Sequence, residues 1–229
     1  MNDHLWSAVD RYVSDVLIEP DSALEDALRR SEAAGLPPIG VSPPQGRMLQ
    51  LLARIHGAGR ILEVGTLGGY STIWLARALA PGGRLVTLEL DAGYARVAGE
   101  NIARAGLADV VEQRVGPALA ALDALAAEGV EPFDLTFIDA DKKTTPEYFE
   151  AALSLSRPGA VIVVDNVVRG GALIDAESED PGAQGMRRFH ALLAGRAGMS
   201  ATTIQTVGSK GYDGFTLVLL DGLPAAGGR

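Results

Sequence analysis

The 229-residue sequence contains no cysteine, which excludes disulfide bonds and thiolate metal sites. It also lacks any apolar run of the roughly 18 residues that a membrane-spanning helix needs, so we expect no membrane partner. Its first residues lack the basic and apolar regions of a secretory signal. Together these absences are typical of a cytoplasmic protein.

Positive charge is scarce as well. The sequence has 20 Lys and Arg against 29 Asp and Glu, which gives a net charge of −9. Proteins that bind nucleic acid through its phosphates normally carry a basic surplus, so we expect no nucleic-acid partner. A hydrophobic share of 47% is too high for a disordered chain, and the length suits one well-buried α/β domain.

From residue 60 onward, apolar β-like runs alternate with amphipathic helix-like stretches. The predicted strands cover residues 60–64, 84–90, 110–115, 134–139 and 160–165, and the predicted helices cover about 71–80, 92–106, 117–129 and 145–156. Alternation of this kind indicates a parallel sheet with right-handed crossovers.

The two ends of the sequence depart from this alternation. Helices are predicted over residues 4–17, 21–34 and 45–56, a loop over 166–182 and a helix over 183–195. Two final β-like runs, 201–207 and 214–220, are joined by only six residues, so they should pair antiparallel. We predict a single domain over residues 1–229, with 1–42 as a helical cap and 43–229 as the α/β core.

A glycine-rich turn over residues 65–69 joins the first predicted strand to the next helix. Ligands of open α/β sheets bind at the carboxyl ends of the strands, where glycine lets the backbone approach them closely. The dinucleotide pattern G-x-G-x-x-G is absent, because Leu67 and Tyr70 stand where glycines are needed. Glu63 would repel a pyrophosphate and suits a ligand with a cationic amino group, such as S-adenosylmethionine (SAM). An ordinary tight turn is the alternative, and a nicotinamide-dependent oxidoreductase is a weaker one.

Glu89 lies 24 positions after Gly65, at the end of the second predicted strand. An acid at about this distance on the second strand typically accepts hydrogen bonds from ribose hydroxyls. The alternative is a solvated acid at a strand end. Together with the glycine-rich turn, the spacing favours the ribose role.

Oxygen-bearing side chains also follow the fourth and fifth predicted strands: Asp139 after one, and Asp165 and Asn166 after the other. Two carboxylates and an amide form a hard oxygen site that suits Mg²⁺, or Mn²⁺ and Ca²⁺, better than zinc. The alternative is that these residues only cap turns. Lys142, three residues after Asp139, would lose its proton more readily beside a cation and could act as a general base; a plain exposed lysine is the alternative.

These residues together resemble the class I, metal-dependent, SAM-dependent O-methyltransferases, the family of catechol and caffeoyl-CoA O-methyltransferase. The likeness covers about residues 37–220 and is carried by residues 41–46, 62–71, 88–89, 116–118, 137–142 and 164–166. The resemblance implies a Rossmann-like, seven-stranded, mostly parallel sheet of order 3-2-1-4-5-7-6, with strand seven antiparallel and helices on both faces.

The resemblance also implies roles for single residues. The implied SAM contacts are Val41, Glu63, Gly65, Thr66, Leu67, Gly69, Tyr70, Ser71, Glu89, Leu90, Pro117, Ala118 and Asp139. The implied metal ligands are Asp139, Asp165 and Asn166, and the implied catalytic residues are Lys142 and Asp139.

The implied reaction is methyl transfer from SAM to a hydroxyl of a catechol-like small molecule chelated to Mg²⁺, in a homodimeric enzyme. Trp6 and Tyr12 on the first predicted helix could contact a partner, although packing within the chain is favoured for both. A family member that methylates hydroxyuridine in tRNA is an alternative, which the net charge of −9 disfavours. Residues 143–148 and 208–213 depart from the pattern of many relatives, which leaves the acceptor's identity open.

Overall fold

A computed structural model describes residues 3–221 of the chain. Its strands are β1 (Arg60–Val64), β2 (Arg84–Glu89), β3 (Val111–Val115), β4 (Phe133–Ile138), β5 (Ser156–Asp165), β6 (Met199–Gly208) and β7 (Gly211–Leu220). Its helices are α1 (Asp3–Leu17), α2 (Ser22–Ala33), α3 (Pro43–His56), α4 (Tyr70–Ala76), α5 (Ala92–Arg104), α6 (Ala118–Glu128), α7 (Thr145–Ser154) and α8 (Pro181–Leu193). A short 3-10 segment, Arg169–Ile174, precedes α8.

The strands form one seven-stranded sheet of order β3-β2-β1-β4-β5-β7-β6. The first five strands are parallel, and β7 pairs antiparallel with both β5 and β6. The predicted fold class, strand order and antiparallel last strand are therefore confirmed.

Helices cover both faces of the sheet. In β1, Leu62 and Val64 belong to a core shared with α6, α7 and α8, whereas Ile61 belongs to a core shared with α2 to α5. Because successive side chains of a strand point to opposite faces, strands buried on both sides read as nearly continuous apolar runs. Burial on both faces of the sheet therefore explains the apolar runs in the sequence.

Two element boundaries in the parallel part of the fold differ clearly from the prediction. Helix α4 ends at Ala76 rather than near residue 80, because the following turn carries the chain back to a hydrogen bond between Ala80 N and the Ala58 carbonyl. Strand β5 starts at Ser156, within the predicted helix. Its first residues pair with β4 through a register shift, and such irregular positions tolerate Pro158 in a strand.

The predicted six-residue link between the last two strands is wrong. Pairing continues to Gly208 and Gly211, which leaves a two-residue turn. Gly211 has φ +89°, a conformation that tight hairpin turns favour. Polar residues can extend these strands because β6 lies at the edge of the sheet with most of its side chains exposed. No helix among residues 3–221 is long and apolar enough to cross a membrane.

Candidate active site

The carboxyl ends of β1, β2, β4 and β5 meet at one edge of the sheet. Val64 of β1 is in register with Leu88 of β2 and with Ile138 of β4, and Ile138 is in register with Val164 of β5. The residues that follow these positions therefore lie side by side, at the edge where open α/β sheets bind ligands. All the acids predicted from the strand ends are brought to this edge.

The glycine-rich turn after β1 is packed tightly against the end of β4. Gly65 has φ +101°, and a Cβ at this position would collide with the main-chain carbonyl of Asp139. A Cβ on Gly68 would likewise collide with Ser31 of α2. Asn101 of α5 donates to the Gly68 carbonyl at 2.9 Å. The turn is thus held from three sides.

Glu89 is oriented by the same turn. Its Oε2 accepts hydrogen bonds from the main-chain N–H groups of Thr66 at 3.2 Å and Leu67 at 2.8 Å. Its Oε1 accepts the N–H of Asp91 at 3.0 Å. Glu89 is only 8% exposed, yet its carboxylate has acceptor capacity left for a ligand that enters beside the turn.

Glu63 lies beneath the turn, completely buried. Its carboxylate accepts hydrogen bonds from the hydroxyls of Ser71 at 2.7 Å and Thr87 at 2.7 Å, and from that of Thr72. Burial raises the pKa of Glu63 to about 7, against the lowering effect of these hydroxyl donors. The Glu63 side chain is therefore not exposed at the site, and it can influence a ligand there through its hydrogen bond with the half-buried Ser71.

The metal-binding residues predicted from the sequence also come together. Lys142 Nζ donates to Asp139 Oδ1 at 2.7 Å, in a pair whose side chains are only 10% and 20% exposed. Asp165 Oδ2 accepts from Gln45 Nε2 at 2.6 Å, and its Oδ1 accepts the N–H of Asn166 at 2.8 Å. Burial, followed by the nearby charge of Asp139, raises the pKa of Asp165 to about 7.

The donor set at this position fits a hard cation. Among residues 3–221, no three His, Cys, Asp or Glu side chains are grouped as metal ligands, so the predicted set rests on two carboxylates and the amide of Asn166. Asn166 has φ +55°, a left-handed conformation that asparagine adopts more readily than most residues. A cation would also relieve the unfavourable burial of Asp165 next to Asp139. Two carboxylates and an amide leave room for oxygen atoms of water or substrate, as Mg²⁺ requires.

The O-methyltransferase family model matches residues 17–219. The chain belongs to this family. It is 51% identical to the catechol O-methyltransferase of Niastella koreensis over 220 residues, which covers 96% of this chain and all of the relative.

Two solved structures are also similar. An O-methyltransferase from Bacillus cereus, in complex with SAH, has a TM-score of 0.95 and 58% identity over 96% of this chain and 100% of its own. The O-methyltransferase TomG from Streptomyces achromogenes, involved in tomaymycin synthesis and in complex with SAM, has a TM-score of 0.94 and 55% identity. The match covers 97% of this chain and 100% of TomG. The resemblance to SAM-dependent O-methyltransferases is confirmed, and the nicotinamide-dependent alternative is set aside.

The other predicted cofactor contacts of this methyltransferase lie around the same edge. Val41 is buried in the loop before α3, and Tyr70 is buried at the start of α4, edge-on to Trp74 with ring centroids 6.4 Å apart. Ala118 begins α6 and is half-buried. The side chains of Leu90 and Pro117 are exposed.

Sequence reasoning missed several residues that hold the site. Gln45 binds Asp165, and Thr72 and Thr87 bind Glu63. Asp213, far along the chain, accepts main-chain hydrogen bonds from the segment after Asp165. Thr87 could have been noticed as a polar residue inside an apolar strand. Asp213 had no sequence signal, because its partners are 44 and 45 residues away.

Proposed function

We propose that this chain transfers the methyl group of SAM to one hydroxyl of a catechol-like acceptor, with a divalent cation, most suitably Mg²⁺, held by Asp139, Asp165 and Asn166. The observation that carries the proposal is the meeting of two acid-bearing strand ends, those of β4 and β5, next to the glycine-rich turn. The 51% identity to a protein named catechol O-methyltransferase supports it.

The cofactor side of the proposed site is formed by the turn after β1 and by Glu89. SAM supplies a methyl group activated by its positively charged sulfur. Glu89, held by the N–H groups of Thr66 and Leu67, would accept hydrogen bonds from the ribose hydroxyls. Ser71, held by Glu63, lies in the first turn of α4. Free N–H groups in a first turn favour negative charge and would bind the carboxylate of SAM.

The remaining proposed cofactor contacts follow from position in the fold. Gly65, Gly69 and Tyr70 belong to the turn and the start of α4, and Val41 lies in the loop before α3. Leu90 and the segment Pro117–Ala118 follow β2 and β3, where Gly116 N donates to the Glu89 carbonyl at 2.8 Å. These residues would enclose the part of SAM beyond the ribose.

The acceptor side of the proposed site is formed by the acid pair and Lys142. When bound, the cation would supply positive charge that favours loss of a proton from an acceptor hydroxyl. Gln45 holds Asp165 in place by donating to its Oδ2. Lys142, 2.7 Å from Asp139, would receive the hydroxyl proton or hold positive charge beside the acceptor. Orientation of the acceptor towards the methyl donor contributes much of the rate.

The test is methylation of catechol by SAM with and without a chelator. We expect excess chelator to abolish turnover and added Mg²⁺ or Mn²⁺ to restore it. Asp165→Asn should lower kcat/KM by at least about 100-fold, because it removes one ligand charge without changing the size of the side chain. Asp123→Asn, an exposed position on α6, is the matched control and should be neutral. Full activity of the wild type in chelator would remove the cation from the mechanism.

A further inference from the structure

The segment after Asp165 has an unusual backbone. Asn166 and Arg169 have φ of +55° and +58°, and Gly170 and Gly171 also have positive φ. Asparagine and glycine tolerate this conformation. An arginine with positive φ is strained, and a glycine at the same position would not be. Strain of this kind at the edge of a site points to a use for the side chain.

Asp213 holds Arg169 in this conformation. Its Oδ1 accepts the main-chain N–H groups of Val168 at 2.9 Å and Arg169 at 3.0 Å. The direction in which the Arg169 side chain leaves the loop is therefore fixed by the β7 strand rather than by the loop alone.

The guanidinium of Arg169 is poorly paired. No residue in the described part of the chain accepts a hydrogen bond from its buried Nε–H. The neighbouring acid, Asp180, has its Oδ2 3.9 Å from Nε, which is longer than a hydrogen bond. The Asp180 carboxylate instead caps α8, where it accepts the N–H groups of Gly182 at 3.0 Å and Ala183 at 3.1 Å.

Arg169 also lies near Lys142, the lysine that is paired with Asp139. A Cβ on Gly182 would lie 3.3 Å from Lys142 Cβ, 3.4 Å from Arg169 Nε and 3.4 Å from Asp180 Oδ1, so two cationic side chains and one acid surround this glycine. The charge of Lys142 is taken up by Asp139 at 2.7 Å, whereas Arg169 has no acid within hydrogen-bond distance of its Nε. The loose ion pair with Asp180 leaves Arg169 with donor capacity for a further carboxylate, near the lysine of the proposed hydroxyl-binding site.

We infer that Arg169 is a specificity-determining residue that binds a carboxylate carried by the acceptor ring. The substrate class is then an aromatic acid with two adjacent hydroxyls, of the dihydroxybenzoate or dihydroxycinnamate kind. The planar guanidinium matches a carboxylate with paired N–H donors, and such charge-assisted bonds are stronger than neutral ones. The inference rests on the proposed function and deepens it by naming the acceptor class.

The experiment compares two acceptors that differ in the carboxylate, 3,4-dihydroxybenzoate and catechol, on the full-length protein with SAM and Mg²⁺. Wild type should show the higher kcat/KM on the acid.

Arg169→Asn removes the guanidinium and keeps a residue that tolerates positive φ. It should raise KM for the acid by roughly 10- to 100-fold and change KM for catechol by less than about 2-fold. Arg169→Lys, which keeps the charge without the paired donors, should lie between the two. Arg187→Gln removes an exposed charge from α8 and should leave both acceptors unaffected.

An equal loss on both acceptors in Arg169→Asn and Arg169→Lys would overturn the inference and assign Arg169 to the shape of the site. Unchanged kinetics on both would also overturn it. Failure of the proposed function would give a different result, because the wild type would then methylate neither acceptor.

Discussion

At the scale of single residues, Glu63 has a property that stability measurements can detect. Its pKa is raised from 4.5 to about 7 in the folded chain by burial. Between these two values the unfolded chain loses the proton while the folded chain keeps it, so stability falls as the pH rises through this window. Glu63→Gln removes the titration and leaves a neutral side chain of similar shape.

We therefore expect the free energy of unfolding of wild type to fall relative to that of Glu63→Gln by about 2–4 kcal/mol between about pH 5 and about pH 8. Urea denaturation of the protein without cofactor measures this difference. The titration of Asp165 is common to both proteins and cancels. Glu179→Gln, an exposed acid, should give no such difference. A pH-independent gap between wild type and Glu63→Gln would contradict the shifted titration.

Lys142 is the second residue whose role can be separated by substitution. If it takes the hydroxyl proton, Lys142→Ala should lower kcat by about 10²–10⁴-fold with little change in SAM affinity. Lys142→Arg can keep the ion pair with Asp139 but stays protonated at any working pH, so it should not restore the rate. The loss should be smaller on acceptors with more acidic hydroxyls. Steady-state kinetics of both variants on two acceptors of different acidity measures this. Recovery of most of the rate by Arg would instead assign Lys142 to holding charge.

At the scale of elements, the β7 strand braces the loop that carries Asn166. Asp213, at the start of β7, accepts three main-chain N–H groups through one oxygen, those of Val168, Arg169 and Gly214. Asp213→Ala should lower stability by about 1–3 kcal/mol, because it leaves these donors without their partner. It should also speed hydrogen exchange at Val168 and Arg169 and weaken cation binding at the acid pair. Hydrogen exchange followed by NMR tests this directly.

Asp213→Asn is the matched control for this prediction, since it keeps an oxygen that can accept the same bonds. Its exchange rates should stay close to those of wild type. If exchange at Val168 and Arg169 is unchanged in Asp213→Ala, the loop is held by other contacts and Asp213 has no bracing role.

The sequence predicted the parallel part of the sheet well because buried strands need apolar side chains on both faces. It predicted the position of the strand-end acids, because the carboxyl ends of strands in a parallel sheet meet at one edge. It failed where a distant partner decides the local structure. Strand β5 begins at Ser156 because β4 offers a partner there, and Asp213 joins the site through a pairing between β7 and β5 that local pattern does not encode.

At the scale of the whole molecule, α1 has two different sides. On one side, Asp10 accepts the N–H of Ser209 at 2.8 Å and ties the helix to the hairpin of β6 and β7. The other side exposes an apolar stripe at helical spacing: Leu5 (57%), Val9 (51%), Tyr12 (69%) and Val16 (60%). Packing of Tyr12 within the chain, the interpretation favoured from the sequence, is therefore wrong.

An exposed apolar stripe of this kind is typical of an interaction surface, and we propose the predicted homodimer as its occupant, since twofold symmetry pairs one patch with its own copy. We expect the wild-type protein to sediment at twice the mass of the chain at micromolar concentration. The double variant Val9→Glu, Tyr12→Glu should sediment as a monomer, because dimerisation would bury two new charges per chain without partners. Arg11→Glu adds a negative charge to the same helix outside the stripe and should remain dimeric. Sedimentation velocity distinguishes these states. A monomeric wild type would show that the homodimer prediction is wrong, and the stripe on α1 would then need a partner other than a second copy of this chain.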